Sequence, residues 1–255
     1  MNTQQNASDE LRLLHPHSAH AGFLDLPFEV RRMVYSLLIP RKRVIRVTQS
    51  MFACGAESMD NDYGFFNPHY SRLNILRLSS QISEECLDLL YGENLFDISL
   101  NGDGEGDLQH NFTPGNRRKI RYLLVSMTDD DVSSTPNTPL WASLLPNLKV
   151  FQIIAKQPVE ARAYWNAPTL EQKSNGWIKW ATAYFDCFRR YLSTTTKVKL
   201  DDDNREETRF LADRYLPLTY QRSRHPCGDL IFRRGQYSVE SGYWDEDDTM
   251  KSSDV

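Results

Sequence analysis

An α/β or mixed α+β fold, a small sheet with several helices, is what this sequence predicts. Three observations carry that expectation. Short runs rich in apolar and β-branched residues alternate with longer segments of helical periodicity. The 255 residues, 40% hydrophobic and 25% charged, have an ordinary globular composition and can bury a core without disulfides. No apolar run approaches the roughly 18 residues that a membrane helix needs. The polar opening MNTQQNASDE also lacks the charged-then-apolar order of a signal peptide. The expected location is therefore the cytoplasm or nucleus, with no membrane partner.

Each element follows from its local pattern. Residues 1–21 read as a flexible leader. In FLDLPFEVRRMVYSLLI (23–39), Pro27 suits a first helical position and Glu29 favours the first-turn dipole. Val30, Val34, Leu37 and Leu38 form one apolar stripe, and Pro40 ends the helix. RVIRVTQ (43–49) reads as a strand and 51–71 as a long loop. A second helix is expected through 72–91, with Ile75, Leu78, Ile82, Cys86, Leu89 and Leu90 on one face and Gly92 as a left-handed cap. NLFDISL (94–100) alternates as a half-buried strand, and NGDGEGD (101–107) reads as a turn. KIRYLLVSM (119–127) and NLKVFQIIA (147–155) read as buried strands, with a short helix at 140–145 between them. Beyond Ile154 the pattern is helical over 174–192 and again after Asp203, a candidate cap. DLIFRR (229–234) reads as a last strand. Strand–helix–strand order predicts parallel strands joined by crossover helices.

The net charge of −4 hides an asymmetry. Residues 236–255 hold six acids and one base, a net of −5, so the rest of the chain carries +1. An acidic, disordered tail is expected there. Between Glu29 and Glu57 lie six bases (Arg31, Arg32, Arg41, Lys42, Arg43, Arg46) and no acid. Such a patch attracts phosphates or an acidic protein face, or is simply solvated surface. A nucleic-acid binder usually shows a basic balance over its whole domain, so nucleic acid is not an expected partner.

Catalytic and metal signatures are absent from the sequence. It has no G-x-S-x-G, phosphate-loop, G-x-G-x-x-G or H-E-x-x-H motif. The cysteines (Cys54, Cys86, Cys187, Cys227) are far apart, as expected of reduced and mostly buried thiols. His15, His17 and His20 lack a carboxylate or thiol beside them, and His225-Pro226-Cys227 lacks the rest of a zinc signature. The Asn101–Gly106 run resembles a calcium loop only until position twelve, which is Phe112 instead of Glu. The triplets Asp129–Asp131 and Asp201–Asp203 read as solvated loop or helix caps. No catalytic residue, cofactor or metal is assigned. Eight aromatics fall between Tyr164 and Tyr191, against about three at the 11% average. They read as core, with Trp180 or Tyr164–Trp165 as candidate exposed interaction anchors.

Two blocks carry a resemblance. The first is Phe23-Leu24-Asp25-Leu26-Pro27-Phe28-Glu29-Val30-Arg31, followed by Val34-Tyr35 and Leu37-Leu38. The second is Leu78-Ser79-Ser80-Gln81-Ile82 with Glu84-Glu85, then Leu90-Tyr91-Gly92-Glu93-Asn94 and Phe96. In this order and separation they resemble the fungal F-box-like proteins, a mostly uncharacterised group, over roughly residues 23–155. That resemblance implies a non-enzymatic protein-interaction module, with Leu26, Pro27, Val30, Val34 and Leu38 facing the Skp adaptor of a cullin–RING ubiquitin ligase. The remainder of the chain would hold a substrate. The chain departs from the F-box pattern after Pro40, where a basic strand replaces two further helices. The alternative is a self-contained α/β domain whose stripe packs on the helix at 73–91; an enzyme without a recognisable motif is a third reading. LLPNLKVFQI also resembles a leucine-rich-repeat strand, and Ile120 and Leu148 stand one repeat-like period apart. The expected organisation is a leader (1–21), an F-box-like helix and strand (22–50), an α/β interaction domain (51–235) continuous with it, and an acidic tail (236–255).

Overall fold

The computed structural model describes residues 22–47, 73–100, 103–128, 135–158, 169–217 and 219–222. The chain divides into two compact units between Leu37 and Leu38. The first holds a short 3-10 turn, Phe23–Asp25, and helix α1, Phe28–Leu38, whose last residue crosses the division.

The second unit is a six-stranded, wholly parallel sheet. Its elements run β1 (Val44–Arg46), α2 (Ser80–Gly92), β2 (Leu95–Ser99), α3 (Gly104–Asn111), α4 (Pro114–Arg117), β3 (Tyr122–Met127), α5 (Thr138–Leu144), β4 (Val150–Ala155), α6 (Leu170–Tyr191), β5 (Lys197–Asp201), α7 (Glu206–Tyr215) and β6 (Gln221–Arg222). Spatial order equals chain order, and Leu95, Tyr122, Val150 and Lys197 lie in one register row. Each crossover therefore steps one strand in the same direction. Right-handed crossovers of that kind place their helices on one face of the sheet. The ring contacts agree: Tyr91 and Phe112 pack on Phe96, and Phe188 packs edge-on to Phe151 at 5.0 Å. Phe96, Leu123 and Phe151 are neighbours on that face.

Local chemistry sets the helix boundaries. Ser79 caps α2 by accepting from Ile82 N, which ends the 3-10 turn Leu73–Arg77 and starts a new helix. The expected continuous stripe is thereby broken: Ile82, Cys86, Leu89 and Leu90 are buried while Leu78 is exposed. Gly92 is the last helical residue and is not left-handed; the end is closed by Asn94, whose Nδ2 donates to Leu90 O and Pro40 O. Thr169 and Gln172 form a capping box at the start of α6.

Four further expectations are corrected. β2 is not half-buried, because Leu95 through Ile98 are all enclosed, Asp97 included. The Gly-rich segment after it is not a plain turn but the start of α3. Gly104 is required there, since a Cβ would lie 1.7 Å from Ser99 O. Asp203 does not cap α7; it sits at φ 49° and Arg205 precedes the helix. β5 and β6 add two strands where the sequence pattern predicts none. DLIFRR, the leader, the 51–71 loop and the acidic tail lie outside the described residues.

Candidate interaction surface

Helix α1 presents two contrasting sides. Arg31 and Tyr35, one turn apart, are both buried. The Arg31 guanidinium donates to Leu24 O at 3.1 Å and Leu26 O at 2.5 Å and lies 5.9 Å from the Phe28 ring centroid. Tyr35 packs edge-on to Phe23 at 5.7 Å. These contacts fold the preceding turn back on the helix. Pro27 sets the entry, and its carbonyl accepts from Val30 N and Arg31 N.

The other side of α1 is apolar and exposed. At 100° per residue, Met33, Leu37, Val30, Val34 and Leu38 span an arc of about 140°. Leu37 is 84% exposed, Met33 70% and Val34 37%; Val30 and Leu38 are also exposed. Seven of the ten large apolar side chains exposed among the described residues lie between Leu24 and Leu38. These side chains are concentrated on one short helix instead of scattered singly over the described surface. Of the residues expected to face an adaptor, Leu26 is half-buried and Pro27, Val30, Val34 and Leu38 are exposed.

Trp180 is a correction. It is only 4% exposed and stacks edge-on to Tyr184 at 5.1 Å, so it offers no surface anchor. The aromatic surplus of α6 serves the core instead. Trp177, Trp180, Tyr184, Phe185 and Phe188 are all buried, because α6 meets the sheet, α5 and α7 and needs a wide apolar arc. Tyr164 and Trp165 lie outside the described residues.

Titratable groups in the second unit hold structure together. Glu105 of α3 accepts from Trp141 Nε1, from Asn137 N at 3.0 Å, and from the Tyr184 side chain. Burial raises its pKa above the ordinary glutamate value, while those donors pull it down. Cys86 and Cys187 are buried thiols pushed up to about 11, mainly by desolvation. Asp201 and Asp202 are buried, not solvated as expected; Asp202 pairs with Arg222 at 2.6 Å and Arg209 at 3.7 Å. Cys54, Cys227, His15, His17, His20, His225 and Asp129–Asp131 lie outside the described residues. Among the described residues no three His, Cys, Asp or Glu side chains converge on a metal position, and no helix is long and apolar enough to cross a membrane.

The basic patch of 31–46 divides among several tasks. Arg31 is internal, Arg41 pairs with Glu93, and Arg46 lies 3.9 Å from the Asp97 carboxylate. Lys42 and Arg43 remain exposed. Set against protein-family models, curated proteins and solved structures, the chain matches none.

Proposed function

We propose that this chain is a non-enzymatic protein-interaction module of the fungal F-box-like kind, working in the cytoplasm or nucleus. Helix α1 would dock on a Skp adaptor, and the parallel-sheet unit would hold a protein to be delivered to the ligase. The observation that carries this reading is the exposed apolar arc Met33–Leu37–Val30–Val34–Leu38 beside a rigid Pro27 entry. An amphipathic helix of that form suits a hydrophobic groove. The second resemblance block supports a shared architecture rather than a second docking site. Its Leu90, Tyr91, Asn94 and Phe96 are buried in the sheet unit.

The test is co-purification of the full chain with a Skp adaptor, beside Leu26→Asp/Pro27→Ala and Val34→Asp/Leu37→Asp. The second pair changes exposed side chains, so the fold survives it. The expected result is a complex with wild type that both variants lose. Failure of the folded wild type to bind, or full binding by folded Val34→Asp/Leu37→Asp, rejects the adaptor reading.

A further inference from the structure

Where the strands of the parallel sheet begin, four of the six present a cation. Lys42 and Arg43 lead into β1, Arg118 precedes β3, Lys149 precedes β4, and Lys197 opens β5. All five are exposed, and none has an ion-pair partner among the described residues. The backbone sets two of them side by side, Lys197 N donating to Lys149 O at 2.8 Å, and ties the β1 pair to the start of β2, Leu95 N donating to Arg43 O at 2.9 Å and Lys42 N to Glu93 O at 3.0 Å. The acids nearby are committed elsewhere, Glu93 to Arg41 and Glu84 and Asp88 to Lys119.

We infer that this basic row is a docking surface for an acidic, extended peptide segment of a partner protein. From β1 to β5 there are four inter-strand steps of about 4.8 Å, or roughly 19 Å in all. An extended peptide of about six residues spans that distance. Nucleic acid fits less well, since the chain is net negative. The surface lies wholly in the second unit, and its existence does not depend on the adaptor reading of α1.

The test is fluorescence anisotropy of the full chain with a labelled peptide of six alternating Asp and Glu, at low and high salt. Its Asn/Gln counterpart and a labelled oligothymidylate of similar length serve as comparisons. The acidic peptide is expected to bind, to weaken with salt, and to bind roughly tenfold more weakly to Lys149→Glu/Lys197→Glu. Lys156→Glu, at the opposite end of β4, is expected to leave binding unchanged. Equal loss in Lys156→Glu, or tighter binding of the oligothymidylate, overturns the proposal. The chain also carries its own acidic run, Asp245-Glu246-Asp247-Asp248. Binding seen only after that run is neutralised to Asn and Gln assigns the row to the chain itself and overturns an external partner. No binding by either form overturns the surface altogether.

Discussion

Glu105 joins three crossovers through one carboxylate, taking donors from Trp141, the backbone of Asn137 and Tyr184. Because burial raises its pKa, the protonated form is favoured in the folded chain relative to the unfolded one. Its contribution to stability is full below the unfolded glutamate value of about 4.3. It falls as pH rises through the raised folded value, and is flat above it. Glu105→Gln is therefore expected to become relatively more stable than before, against wild type, as pH rises through that window. Urea unfolding at a series of pH values reads this, and an unchanged difference between the two proteins would sink the assignment. Glu105→Ala is expected to cost about 1–3 kcal/mol below that window, because the buried indole N–H of Trp141 loses its acceptor, and less as pH rises through it. The two buried thiols behave differently. With values near 11 they carry essentially no thiolate at neutral pH and are inert packing groups.

Between elements, Asn94 does comparable work for the start of the sheet. Its side chain donates to Pro40 O and Leu90 O and accepts from Arg43 N at 3.0 Å, tying the entrance of β1 to the end of α2. Asn94→Ala removes a fully buried side chain and its bonds to three backbone groups, one buried and two part-buried, for an expected loss of about 1–3 kcal/mol. A urea midpoint within error of wild type would show the ties to be dispensable. The second resemblance block thus has a structural explanation visible only in three dimensions. What the sequence disclosed follows the same line. β3, β4, α5 and most of α6 were legible because continuous apolar runs and a 3.6-residue stripe report burial directly. β5 was not, since KVKLD alternates Lys197 and Lys199 with Val198 and Leu200 over only five residues beside a loop of acids. Trp180 misled because an apolar arc wide enough to meet two neighbouring helices looks, in sequence, like a core face plus an exposed ring. The α1 stripe was legible as a pattern, but periodicity alone does not tell an apolar face that is buried from one that is exposed.

At the scale of the molecule, parallel strands all in chain order put every strand's beginning at one edge. The returning helices bring their C-termini to that same edge, and Arg189 and Arg190 of α6 and Arg214 of α7 lie in those last turns. At the other edge the helices begin, with Glu105 and Asp107 in the first turn of α3 and Glu206 and Glu207 in that of α7. The topology thus gathers strand beginnings and helix C-termini at one end of the sheet unit and helix N-termini at the other. The same topology grades stability. β3 and β4 are flanked on both sides and enclosed almost throughout, whereas β1 has three residues and β6 two. Short edge strands limit pairing with foreign chains but leave little to hold their own amides. Helix α1 stands in the separate first unit and buries only Arg31 and Tyr35 of its eleven residues. Native-state hydrogen exchange is therefore expected to show amides of β3 and β4 opening only with global unfolding, and those of α1 opening locally and much sooner. A helix that opens on its own terms gains most from a partner that covers its apolar arc. Adaptor binding should then slow exchange in α1 far more than in β4. Protection of free α1 equal to that of β4 would place the helix in the same cooperative core and remove that expectation.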